Sequence, residues 1–323
     1  MRDSTDIANR EMDLLIADAV ARTNARTACE APPDEVHEAL AREIYRATSP
    51  PIFVWSRGFF RSAGFSRYSA WLETTEAVDK LSFPRRRDIY GDLTMWNSVI
   101  LTLAGPCSTF EVGGVRLGSD KFDHFLDVGY HYYRKALRKG DDAALHWGTR
   151  TEWSFYGLLT SKVFSYGDMR ANWDGWLFYR DLLGPDSIFS LGDDGCVRQD
   201  RPFDWRDHVN SEWDEVLNPP VYTRLVERGV LRTLEMRRES VCTSRERWDP
   251  GRWWEGYVDD LAVPPYVTGP VPGRRDPWQL AELCDPERTE PLVVYPVRPR
   301  AERREERQER RDALQDVADV AGG

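Results

Sequence analysis

Several things are missing from this 323-residue chain, and each absence removes a class of protein. No stretch reaches the roughly 18 apolar residues that a membrane-spanning helix needs. The longest apolar segment, residues 95–104, is broken by Asn97, Ser98 and Thr102. The N-terminal segment MRDSTDIANREMDLLIADAV has neither the apolar centre nor the small-residue cleavage site of a secretory signal. The expectation is either a cytoplasmic protein or the mature form of an exported one. An excess of positive charge is also lacking: 44 Lys and Arg stand against 54 Asp and Glu, a formal net charge of −10. That composition argues against nucleic acid as a partner, since phosphate binding needs a clustered basic face. The Arg-rich run 298–311 does not supply one, because Glu is interleaved through it. The partner this balance admits is a protein or an envelope component.

Cysteine is sparse and irregularly placed. Cys29, Cys107, Cys196, Cys242 and Cys284 form no Cys-x-x-Cys pair, which excludes a zinc ribbon or a thioredoxin-like motif. The odd number leaves at least one thiol free in a monomer. Ordinary thiols are the expectation, with one or two disulfides in an exported protein as the alternative. Also absent are Gly-x-Gly-x-x-Gly, a phosphate loop, His-Glu-x-x-His, Gly-x-Ser-x-Gly and an EF-hand loop. No motif therefore names a cofactor, and the oligomeric state stays open.

What is present points to a mainly α fold: a compact helical core with one β-hairpin and a long, irregular Trp/Pro-rich C-terminal half. Hydrophobic residues make up 41% of the chain, enough for a real core. A helical domain is expected over 1–190, a Trp/Pro-rich wrap or subdomain over 191–300, and a charged tail over 301–323. Met12, Leu15, Ile16 and Ala19 share one helical face over 10–22, as do Val36, Leu40 and Ile44 over 34–46. Pro32 and Pro33 open the second of these helices; Pro50 and Pro51 close it. Residues 52–70 read as loop, 71–81 and 93–104 as helices. Gly113-Gly114 in TFEVGGVRL marks a hairpin turn. Downstream, 220–238 reads as a helix and 263–277 and 291–299 as extended.

The chemistry concentrates in 118–184, where three consecutive helices are expected. In the first, Ser119 is placed to cap, and Phe122, Phe125, Leu126, Gly129, Tyr133 and Leu137 form an apolar face. Asp120, His124, Asp127 and His131 recur at one-turn spacing almost opposite it, where i and i+4 side chains meet. The second helix, 142–159, aligns Gly148, Glu152 and Tyr156. Trp153, Phe155 and Tyr156 around Glu152 would desolvate its carboxyl and raise its pKa; the plainer expectation is a surface residue paired with Arg150. The third helix begins at a capping Ser165 and aligns Asp168, Asn172, Gly175 and Tyr179. Gly129, Gly148 and Gly175, each costly inside a helix, suggest close backbone approach or space for a ligand. A second acidic cluster, Asp204, Asp207, His208, Asp214 and Glu215, reads as a solvated loop, and Trp253-Trp254 as an anchor to the core.

DKFDHF at 120–125 followed by SYGDMRANWDG at 165–175 resembles the pattern Asp-Lys-x-x-His-Phe then Ser-x-x-Asp-x-x-x-Asn-x-x-Gly. The pattern is similar to that of VanZ-like proteins, related small bacterial envelope lipoproteins and longer uncharacterised bacterial proteins. The resemblance implies an envelope setting and singles out Asp120, Lys121, His124, Asp168 and Asn172; it implies no assigned reaction. Two functional expectations follow. The first is a non-enzymatic protein in which an interior Asp/His/Glu/Asn network fixes helix register, with the Trp/Pro-rich half as an interaction surface. The alternative is a hydrolase with His124 as base, Asp120 or Asp168 orienting it, Glu152 as acid and Asn172 holding substrate or an oxyanion, with a metal-assisted variant.

Overall fold

The computed structural model describes residues 1–49, 66–81, 89–90, 93, 107–153, 162–216, 218, 220–239, 241–242 and 283–289. Tyr156, Trp253, Trp254, most of the loop expected over 52–70, the helix expected at 93–104, both extended segments and the tail fall wholly or largely outside them. The described chain is mainly α, with only short antiparallel strand pairs, as its periodicity requires.

Helices α1 (Thr5–Thr27) and α2 (Pro33–Thr48) form an antiparallel pair. Ala8, Met12, Ile16 and Ala19 of α1 and Val36, Leu40 and Ile44 of α2 are fully buried. Helix α3 spans Arg67–Thr74, starting four residues before the expected 71–81 and stopping well short of its end. Ser66 sets the start, its hydroxyl accepting the Ser69 N–H at 3.0 Å. Lys80 sets the end, its ammonium donating to the carbonyls of Leu72, Glu73 and Thr75 at 2.8, 2.5 and 2.8 Å. The hairpin β1 (Thr109–Val112) and β2 (Val115–Gly118) pairs Val112 with Val115 across Gly113 and Gly114, at φ 61° and 73°. Only glycine takes two successive positive φ values cheaply, which is what this turn demands.

Helix α4, residues 120–139, is continuous but not uniform. It is α-helical over Asp120–Asp123, π-helical over His124–Val128 and α-helical again over Gly129–Lys139. Ser119 does not cap it: its own φ and ψ are helical, and its hydroxyl donates to Glu73 at 2.5 Å. Helix α5 runs Asp141–Trp153 and α6 Tyr166–Arg180. The crossing of α4 and α6 is a backbone contact. A Cβ on Gly129 would lie 2.7 Å from the Gly175 backbone, and one on Gly175 would lie 2.1 Å from the Phe125 carbonyl oxygen. Gly148 has a different cause: it leaves room for the Tyr132 side chain.

After α6 the chain wraps the helical body. Strand β3 (Val163–Phe164) precedes α6 and pairs antiparallel with Val221–Tyr222; strands β4 (Phe189–Leu191) and β5 (Val197–Gln199) form a hairpin, and two 3-10 turns follow at Trp205–Asp207 and Ser211–Trp213. The polar side of α1 holds this segment. Asn24 exchanges hydrogen bonds with Val197 N and O at 2.8 and 2.9 Å. Asp13 accepts from Phe203 N at 2.7 Å and Asn9 from Trp205 N at 2.9 Å. Trp205 and Trp213 are fully buried among Phe122, Phe125 and Phe203. A smaller core forms around α7 (Arg224–Met236), from Val163, Tyr222, Val226, Val230, Leu231, Leu234 and Leu283.

The expectation of ordinary thiols is corrected. Cys29 pairs with Cys196, and Cys242 with Cys284; Cys107 is in neither disulfide. The folding of α1 and α2 against the β4–β5 hairpin brings Cys29 and Cys196 together across 167 positions, a juxtaposition no local spacing announces.

Two outcomes follow from this packing. Gly175→Ala must force Phe125 backbone away, so urea denaturation should show a loss of about 3 kcal/mol. Non-reducing peptide mapping should recover the Cys29–Cys196 and Cys242–Cys284 peptides with Cys107 alkylatable after unfolding. Reduction should then lower stability by about 4 kcal/mol or more, with the longer Cys29–Cys196 loop contributing only slightly more than the Cys242–Cys284 one.

Candidate functional site

The site is built where α4 begins beside the first turns of α6. Asp120, Lys121 and His124 lie within the first five residues of α4, Asp168 and Asn172 one turn apart on α6. Ser165 caps α6, its hydroxyl accepting the Asp168 N–H at 3.1 Å, so Asp168 is fixed at the helix end that favours a negative charge.

Lys121 is the hub. Its ammonium lies 2.9 Å from Asp120 Oδ2, 2.6 Å from Asp168 Oδ1 and 2.9 Å from Glu215 Oε1, and the side chain is only 1% exposed. His124 turns Nε2 to Asp168 Oδ2 at 3.3 Å and Nδ1 to Asn172 Oδ1 at 2.9 Å. Glu215 also accepts from the Ser165 hydroxyl at 2.9 Å and the Tyr90 hydroxyl at 2.6 Å. Glu152, buried rather than at the surface, enters from α5 through the Ser165 N–H at 3.4 Å. Asp120, Lys121, His124, Asp168 and Asn172 thus share one cluster, and Glu152 borders it. The cluster is closed below and open above: Asn172 is 2% exposed, while the His124 and Asp120 side chains are 17% and 28% exposed.

The expected four-residue stripe on α4 divides in two. The π-helical turn inserts extra rotation after His124, so Asp127 and His131 face α2 instead. There they pair with each other at 3.7 Å beside Tyr45. A π turn of this kind is a recurrent feature of functional sites.

Charges in the cluster fix one another. Burial disfavours the Lys121 ammonium, but Asp120, Asp168 and Glu215 outweigh it and hold its pKa well above the usual lysine value. Burial likewise opposes a charged His124, yet Asp168 beside it lifts the imidazole to about 10. Burial pushes Asp168 up, and His124 with Lys121 overturn that and hold it well below the carboxylate range. Among the described residues no cation is in contact with Glu152, and burial with the nearby Asp168 charge raises it to about 8. At neutral pH the cluster is therefore an imidazolium and an ammonium set against carboxylates, beside a protonated Glu152. Both His124 nitrogens face acceptors, which leaves no lone pair free to take a proton in this state.

The second acidic cluster is not uniformly a solvated loop. Glu215 belongs to the site, because the two 3-10 turns and the buried Trp213 carry the chain back over α6. Asp204 and Asp207 stay partly exposed, paired with Arg206 at 2.9 Å and Arg201 at 2.6 Å. The His208 ring packs against Phe125, Phe178 and Phe203 at centroid distances of 5.1, 5.4 and 5.1 Å. A second buried group had no place among the sequence candidates. Arg170 donates to Asp174 at 2.9 Å and Glu212 at 2.5 Å, and Asp174 accepts from Trp213 and Asn210 at 2.8 and 2.9 Å. Its signal was available: Arg170 and Asp174 stand at i and i+4 on a helix whose other faces are also apolar or committed.

Three groups at the open side could ligate a metal ion. Donor atoms of Asp120, His124 and Asp168 lie within 4.8 Å of one another, with the Lys121 ammonium against both carboxylates. No protein-family model, curated protein or solved structure matches this chain. Among the described residues no helix is long and apolar enough to cross a membrane.

His208 generates a pH dependence. Burial lowers its pKa to about 4, with Asp207 and Asp204 opposing the shift and Arg201 adding to it. The folded state thus favours the neutral ring. Its contribution should be complete above the unfolded value near pH 6.5 and be lost as pH falls toward 4, by about 3 kcal/mol. Urea denaturation between pH 7 and 4 should show this limb flattened in His208→Phe.

Proposed function

We propose that this chain is a non-catalytic helical protein of an oxidising compartment, with the cell envelope as its setting, whose buried ionic cluster locks α4, α6 and the overlying 203–216 segment into one body. One observation carries the reading: Lys121 bridges carboxylates from three separate parts of the chain, Asp120, Asp168 and Glu215. A side chain so engaged is a cross-link, and its charge is not free for substrate. The two disulfides support the compartment, since such bonds persist where thiols are not kept reduced. Within the described residues the tryptophans Trp205 and Trp213 serve the core, so a Trp/Pro-rich interaction surface would have to come from the region beyond α7.

A second reading has its own observation. Glu152 is raised to about 8 while nearby Asp168 is held low, and carboxyl groups driven apart in this way mark acid and base roles in hydrolases. In that reading Glu152 is the acid, and Asp120, the most exposed carboxylate of the cluster, replaces His124 as the base.

Stability separates the two. Removing one partner of a buried ionic group strands the others, so Lys121→Met should cost about 3–5 kcal/mol if the cluster is a lock. His124→Gln should cost less but in the same direction. Active sites trade stability for function, and their removal commonly stabilises. A gain in the urea midpoint for both variants would sink the lock and favour the hydrolase.

A further inference from the structure

We propose that Asp120, His124 and Asp168 form a binding site for a divalent transition-metal ion of the zinc type, and that Lys121 yields to the ion by withdrawing onto Glu215. This goes beyond the lock reading and does not rest on it.

The donor set comes first. Two carboxylates and one imidazole offer atoms within 4.8 Å of one another, and a mixed nitrogen and oxygen set of this kind suits zinc and its first-row neighbours rather than calcium. Three protein ligands leave a fourth position open on the solvent side, where Asp120 is 28% and His124 17% exposed.

The donors are also held from behind. His124 Nδ1 lies 2.9 Å from Asn172 Oδ1, and an amide oxygen can only accept. Nδ1 therefore carries hydrogen, and Nε2 is the atom presented to the carboxylates, giving up its proton to the solvent when an ion binds. Metal-binding histidines are oriented in this way by a partner on the other ring nitrogen. Asp168 is seated by the Ser165 cap. The Gly129–Gly175 contact sets the distance between the two ligand-bearing helices at backbone level.

Asp168 Oδ1 is buried and is held by the Lys121 ammonium at 2.6 Å, with no other donor on it among the described residues. A bound cation would take the place of that ammonium on the same oxygen.

Lys121 is a competitor with somewhere to go. Of its carboxylate partners only Asp120 and Asp168 belong to the donor set. Glu215, 2.9 Å from the ammonium, does not. Tyr90 and Ser165 hold Glu215 in position. Lys121 can retain Glu215 while the other carboxylates turn to metal. Repulsion between ammonium and ion lowers the affinity below that of the same triad without lysine, and this difference is what an experiment can read.

The test uses the full-length chain stripped of metal, titrated with zinc chloride by calorimetry, and with cobalt(II) followed by visible absorption. The expected result is one ion per chain with cobalt bands of a nitrogen and oxygen site. Asn172→Ala should weaken binding about tenfold by releasing His124. Asp120→Asn, at the most exposed ligand, should weaken it further while leaving the circular dichroism spectrum unchanged. Lys121→Met should tighten binding at least tenfold. Should Lys121→Met fail to fold, Asp120→Asn and Asn172→Ala still decide. No saturable binding by the natural chain, binding seen only after Lys121→Met, or binding indifferent to Asp120→Asn would each overturn the proposal.

Discussion

The backbone contact between Gly129 and Gly175 is the constraint on which the rest depends. It brings α4 and α6 closer than side chains would allow, with a Cβ on Gly175 meeting the Phe125 carbonyl at 2.1 Å. Only at that separation can the short side chain of Asp168 reach both Lys121 and His124, and that of Asn172 reach His124. The cost of glycine in a helix, about 1 kcal/mol each relative to alanine, is offset by the packing it permits.

Helix α6 then does two jobs at once. One face presents Asp168 and Asn172 to the start of α4, another presents Arg170 and Asp174 to the segment carrying Asn210, Glu212 and Trp213. Between them Met169, Ala171, Trp173, Trp176 and Tyr179 are buried. A helix so enclosed has no free polar face, and each of its charged groups must find a partner inside the protein. The ionic cluster and the Arg170 group are the two answers to that requirement. Both recruit the same returning segment, which is why residues 203–216 lie on the helical body although they have almost no regular structure of their own.

Much of this was readable from residue patterns. The faces of α1 and α2, the Gly113-Gly114 turn and the Ser165 cap are local effects of spacing and backbone preference. Asp120, His124, Asp168 and Asn172 stood out because one-turn repeats of polar groups in an apolar context are uncommon, and Lys121 through the resemblance of its motif. Three features were not readable. The π turn at His124, which parts Asp127 and His131 from the cluster, has no sequence signature in 124–128. Glu215 sits 94 positions from the lysine it neutralises. Cys29 and Cys196 are 167 apart. The last two depend on contacts whose partners are remote in the chain, and no periodicity encodes those.

The amino-acid order by itself determined a mainly α protein with a polar centre in 118–184, because helical periodicity, caps and turn glycines act over a few residues. Tertiary structure alone decided which charges meet, which cysteines pair and how His124 is protonated. Those outcomes follow from distance and burial after packing, and a carboxylate 2.6 Å from a buried ammonium is a different chemical object from the same residue in water.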